Sequence, residues 1–287
     1  MAGQGRVPFR TQPFLVIADY LTRQGYSVFR YDDYPKAVFA KSNTYDFADG
    51  VTMILDSFGK RNDLAALSTG LLGHSEGSLV AEMVAARDAR VDFIITIGGV
   101  AQKASELLLY QVRAINAASG GMTEKEIYKS AELSYQIYKI VEKAKTPKQA
   151  AEKTSVFWDL QAKSLTPEQQ ERYNFTEENK RTTLSQLSSN WFFTFFHINP
   201  PKFIKKIKCP VLTIGGEKDL QVEATTNNAL FEKLLPKNKY HQFLTIPQAN
   251  HLLQTCTTGE PSEYGEIEET IQPKALEIML EWMETIR

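Results

Sequence analysis

Two hydrophobic rhythms alternate along this chain. Over residues 14–24, 45–58 and 78–87, apolar side chains return every three or four positions, the spacing of a helix with one buried face. Between them, short apolar runs at 26–31, 69–73 and 91–97 predict buried strands. The alternation resumes late in the chain, with strand-like runs at 211–216 and 240–246 around a helix at 225–235, and a final helix at 273–286. From Gly98-Gly99 to about Pro201 the rhythm is helical throughout. Thr123 with Glu126, Thr146 with Gln149 and Thr166 with Gln169 read as capping boxes, the last two with proline at the first helical position.

Helix alternating with strand predicts an α/β fold, a mostly parallel sheet flanked by helices. The helical stretch divides it: residues 1–100 form the first part of the core, 101–201 a helical insertion and 202–287 the second part. An insertion at that point is expected to cap the ends of the strands, with Trp191, Phe192 and Phe195 as candidate lining of a substrate pocket or as packing between cap and core.

The 287 residues carry a formal net charge of −1 and 43% hydrophobic residues, enough for such a domain and without the basic excess of a nucleic-acid-binding protein. No apolar run approaches the length of a membrane span, so neither nucleic acid nor membrane is expected as a partner. The run Lys202, Lys205, Lys206 and Lys208 reads as a solvated lead-in to a strand. Cys209 and Cys256 suggest free thiols, and with no secretory signal pattern the cytoplasm is the default expectation.

One short segment carries chemistry. Gly73-His74-Ser75-Glu76-Gly77 sets Gly-x-Ser-x-Gly between a strand-like run and a helix, the pattern of a nucleophile elbow. A sharp strand-to-helix reversal would hold Ser75 in a strained conformation, and side chains at 73 and 77 are expected to collide with neighbouring backbone. The helix beginning near Glu76 would direct its N–H groups and positive dipole end toward an oxyanion at Ser75.

A serine at its ordinary pKa needs a base and a group to orient that base, here in the order Ser, acid, His. Asp219 follows the strand-like run 211–216 and is the expected acid, with Glu217 as competitor. His251 follows the run 240–246 and is the expected base. His74 reads as a packing residue at a turn, His197 as a partly buried histidine beside an aromatic cluster, and His241 as surface. The His and Cys spacing offers no metal cluster, and the mechanism requires no cofactor.

With these residues identified, the chain resembles the α/β-hydrolase superfamily, in particular its bacterial serine-aminopeptidase-like and carboxylesterase-like branch. Segments 14–21, 29–33, 73–77, 216–222, 250–252 and 259–270 carry the resemblance. It implies the α/β-hydrolase fold and a serine hydrolase acting through an acyl-enzyme. Two departures stand out. Residues 34–42 replace an Arg-Gly-x-Gly-x-Ser turn, and the polar lead 1–13 is too short for the strands that relatives place before the first helix. At least one central strand is therefore expected to be missing, leaving about five. The second oxyanion donor would fall to the backbone at Gly3-Gln4-Gly5, with Gln4 at its centre.

The resulting expectation is a carboxylesterase acting on small-molecule esters, because an ester leaving group needs little protonation and no amine-binding site is apparent. The alternatives are an aminopeptidase-like serine peptidase acting on short peptides and a truncated, catalytically impaired binding protein.

Overall fold

Four short apolar runs pair as parallel strands in sequence order: β1 (Gly70–His74), β2 (Phe93–Ile97), β3 (Val211–Gly216) and β4 (Gln242–Ile246). The computed structural model describes residues 12–31, 38 and 41–287. In the ladder Gly73 pairs with Thr96, Thr96 with Thr213, and Thr213 with Phe243. The two central strands, Phe-Ile-Ile-Thr-Ile and Val-Leu-Thr-Ile-Gly-Gly, are almost wholly buried, which explains why they are continuous apolar runs rather than alternating ones.

The helices are α1 (Pro13–Arg23), α2 (Thr44–Gly59), α3 (Glu76–Ala85), α4 (Ala104–Ala118), α5 (Glu124–Lys143), α6 (Pro147–Ala162), α7 (Pro167–Arg172), α8 (Glu177–Leu187), α9 (Asn190–His197), α10 (Pro200–Ile204), α11 (Ala224–Leu234) and α12 (Pro273–Thr285). Among the described residues none is long and apolar enough to cross a membrane.

The chain divides into two compact units. One contains residues 12–31, 44–102 and 199–287, hence the whole sheet. On one face of the sheet Ile95, Ile97, Leu212 and Ile214 pack with Ile17 and Leu21 of α1 and with Ala275, Met279 and Trp282 of α12. The other face, which presents Thr213 to Asn228, carries α11, and α3 packs against β1 and β2.

The second unit includes residues 103–198 and is helical. Its core holds Leu133, Ile137 and Val141 of α5, Trp158 of α6, Leu187 of α8, and Phe192 and Phe196 of α9. Trp158 stacks on Phe175 at 4.0 Å and donates its indole N–H to the Phe175 carbonyl. The capping boxes at Thr123 and Thr166 are formed as expected. Thr146 accepts from the Gln149 N–H, but the Gln149 side chain reaches the Lys145 N–H instead of closing the box.

Two expectations are corrected. Residues 26–31 form no strand, and the sheet has four strands among the described residues rather than five. A strand exists through its ladder of backbone partners, and no described strand pairs with this segment. Phe29 and Tyr31 are instead exposed, with the Phe29 ring set edge-on against Phe58 at 5.2 Å. The helix expected to begin near Glu76 does so, immediately after Ser75. Residues 1–11, which are expected to be too short to supply the strand before the first helix, the turn across 34–42 apart from Val38, Lys41 and Ser42, and the Gly3-Gln4-Gly5 donor lie outside the described residues.

Candidate active site

Ser75 occupies the link between β1 and α3, with φ 54° and ψ −120°, a conformation that an L side chain adopts only under strain. The sequence makes this turn affordable at one glycine. A Cβ on Gly73 would lie 2.1 Å from the Gly77 carbonyl oxygen. The expectation for Gly77 is corrected: among the described residues a Cβ there would meet nothing within 4 Å. Among the described residues only the first glycine of the motif is required by close approach.

The elbow is tied to the sheet through its backbone. The Ser75 N–H donates to the Ile97 carbonyl at 2.9 Å, and the Gly98 N–H donates to the Ile214 carbonyl at 2.9 Å, so the ends of β1, β2 and β3 are laced together. The Ser78 hydroxyl, one turn into α3, donates to the Ser75 carbonyl at 2.6 Å and accepts from the Val100 N–H at 3.1 Å. Glu76 is the first residue of α3, and its carboxylate accepts from the Thr44 hydroxyl at 2.7 Å.

Asp219 and His251 meet at these strand ends. His251 Nδ1 lies 2.7 Å from Asp219 Oδ2, and both side chains are almost completely buried. The other carboxylate oxygen accepts from the Gln221 and Val222 N–H groups at 2.8 and 2.9 Å. A carboxylate held by two backbone donors has its remaining oxygen directed at the imidazole, which requires the proton on Nδ1 and leaves the lone pair on Nε2. No hydrogen bond links Ser75 Oγ to His251 Nε2 in this structure. Gly98 closes the far side of the ring: a Cβ there would lie 2.9 Å from His251 Cε1 and 3.6 Å from Asp219 Oδ2.

The loop bearing His251 is built by its neighbours. The fully buried Asn250 accepts from the Leu252 and Gln254 N–H groups, and its amide donates to Gln254 Oε1. The Ala249 carbonyl accepts from the Lys218 N–H at 2.8 Å, which joins the histidine loop to the aspartate loop. Glu217, the competing carboxylate, accepts instead from the Gln248 N–H at 2.9 Å and makes no hydrogen bond with the imidazole.

The other histidines are also placed. His74 is half-buried, its Nε2 lies 2.9 Å from the His251 carbonyl, and the two rings are 4.5 Å apart. His241 is not simply a surface residue: its Nδ1 accepts from the Val211 N–H while its Nε2 donates to the Pro236 carbonyl, pinning the start of β3. His197 is exposed, with Nδ1 2.8 Å from the Phe193 carbonyl. In the helical unit Phe192 is a core residue, and Trp191 and Phe195 stack at 6.0 Å while half-buried.

Sequence reading alone did not single out Gly98, Asn250 or His74 for this site. Gly98-Gly99 after a strand, and an Asn immediately before the histidine, are the local signals that could have found the first two. The role of His74 depends on a contact between residues 177 positions apart.

No family model matches the chain, and no curated protein matches it. Solved structures do. BpoC of Mycobacterium tuberculosis H37Rv, provisionally described as a non-heme bromoperoxidase, is 14% identical, with a TM-score of 0.50 over 99% of this chain and 89% of that one. A thermophilic esterase of Thermogutta terrifontis is 14% identical, with a TM-score of 0.47 over 98% and 87%. MenH of S. aureus is 15% identical, with a TM-score of 0.46 over 96% and 90%. The fold of this chain is the α/β-hydrolase fold.

Proposed function

We propose that this protein is a serine hydrolase that cleaves carboxylic esters through an acyl-enzyme on Ser75. The observation that carries the reading is the buried 2.7 Å bond between His251 Nδ1 and Asp219 Oδ2 at the same strand ends as the strained Ser75. His251 Nε2 takes the Ser75 proton as Oγ attacks the ester carbonyl, and Asp219 stabilises the imidazolium that forms. The tetrahedral oxyanion develops at the N-terminus of α3, where the helix dipole and the backbone N–H of Glu76 oppose its charge. Collapse of the intermediate passes the His251 proton to the leaving alkoxide. Water then enters, activated by the same imidazole, and releases the acid from Ser75. Esters are favoured over amides because an alkoxide needs less protonation on departure than an amine.

The test is hydrolysis of short-chain nitrophenyl esters, together with stoichiometric labelling by a fluorophosphonate. Wild type should turn over the esters and take up one label, whereas Ser75→Ala should do neither. Retention of turnover by Ser75→Ala would overturn the nucleophile, and faster hydrolysis of peptide nitroanilides than of esters would overturn the substrate class.

A further inference from the structure

The base of the proposed mechanism is fixed through its ring by Asp219 and through its main chain by a second histidine. His74 Nε2 lies 2.9 Å from the His251 carbonyl oxygen, and the ring centroids are 4.5 Å apart with an interplanar angle of 50°. A carbonyl only accepts, so His74 must carry its proton on Nε2 and donate it. His74 is also the residue before Ser75, the last position of β1, with Phe14 of α1 set edge-on to its ring at 6.4 Å. This hydrogen bond spans one residue on the nucleophile side and none on the base side.

We infer that His74 is a positioning residue that sets the separation of nucleophile and base by anchoring the His251 main chain to the elbow. The inference rests on the reading of Ser75 and His251 as that pair. Without the bond, the His251 loop keeps its ties to the Asp219 loop through the Ala249 carbonyl and the imidazole, but loses its side-chain tether to the strand that carries Ser75. Asp219 would still orient the ring, and the ring would be oriented toward a less fixed target. Displacements of about 1 Å in such a pair can lower turnover by roughly 100-fold.

Desolvation of the ring supports the assignment. It pushes His74 down to about 3, helped by the adjacent His251, so the ring is a neutral donor throughout the working range and adds no positive charge beside an imidazole that must itself become charged.

Two substitutions separate the hydrogen bond from the volume of the ring. His74→Leu fills most of the space and removes the donor. His74→Gln places an amide N–H the same number of bonds from Cα as Nε2. With nitrophenyl esters, His74→Leu should lower kcat by about 10- to 100-fold with KM within about 2-fold, and His74→Gln should recover most of the loss. Equal kcat values for the two folded variants, whether both wild-type-like or both low, would overturn the positioning role.

If the variants do not fold, nitrogen-resolved imidazole spectra of the wild-type protein decide, since the chain has only four histidines. His74 should remain neutral with its proton on Nε2 from about pH 5.5 to 8.5; protonation within that range, or the Nδ1–H tautomer, would overturn the bond. Failure of the hydrolase reading itself appears separately, as turnover by Ser75→Ala.

Discussion

Gly98 and His251 stand in such close contact that the glycine admits no side chain: an added Cβ would lie 2.9 Å from Cε1 and 3.1 Å from Nδ1 of the imidazole. Gly98 also has φ +57°, where a Cβ costs roughly 1 kcal/mol or more. Gly98→Ala must therefore displace either the ring or the backbone at the end of β2. The expected result is a drop in ester turnover of at least about 10-fold with a modest fall in Tm, because the shift lands on the Asp219–His251 pair. Turnover within 2-fold of wild type would show that the ring has room to give.

The two carboxylates on the loop after β3 should separate cleanly. Asp219 bonds the imidazole and two backbone N–H groups, whereas the exposed Glu217 holds the Gln248 N–H. Asp219→Asn should lower kcat by roughly 10⁴-fold by reversing the tautomer of His251, and Glu217→Gln should leave it within a few-fold. The opposite ranking in steady-state ester kinetics would reassign the acid.

Much of this arrangement was legible in the sequence. The central strands and the elbow announce themselves because a strand buried on both faces has to be apolar throughout and a strained turn needs glycine at Gly73. Chain order and post-strand loops restrict where an acid and a base are expected, which points to Asp219 and His251, and these two side chains do meet. What escaped depends on partners. Among the described residues, 26–31 have strand composition and no ladder, Gly77 has motif rank and open space around it, and His74 bonds a carbonyl far along the chain. Glu82 escaped for another reason: the sequence shows a charged residue on a helix, and a helix surrounded on all sides gives it no surface to occupy.

Glu82 carries a pH-dependent cost. Its side chain is fully buried, and neither carboxyl oxygen has a hydrogen-bond partner among the described residues, so burial raises its pKa well above 4.5. The folded protein keeps the proton that the unfolded chain releases. The stability tied to that proton is complete below about pH 4.5 and declines as pH rises toward the folded-state value. Glu82→Gln, neutral at every pH, should therefore gain in Tm over wild type progressively between pH 4.5 and 8. A Tm difference that stays constant over that range would mean that Glu82 is not protonated in the fold.

Asn227 on α11 organises the loop that follows β2. Its buried Oδ1 accepts from the Ala101 and Gln102 N–H groups at 2.8 and 3.2 Å, and its amide donates to Gln102 Oε1 and the Glu223 carbonyl. Asn227→Ala leaves two backbone donors beneath the loop without an acceptor, at about 1–3 kcal/mol for each that stays dry. The neighbouring Asn228 is half-buried and bonds the Thr213 hydroxyl and the Leu244 carbonyl, groups that water can partly serve. Asn227→Ala should thus lower Tm by roughly 5–10 °C, and Asn228→Ala by clearly less. Because the same loop begins at Gly98 against the imidazole, Asn227→Ala should also reduce ester turnover well below its melting temperature. Matched melts and kinetics of the two variants check both statements, and an Asn227→Ala protein that melts within about 2 °C of wild type would show that this loop holds its shape without the asparagine.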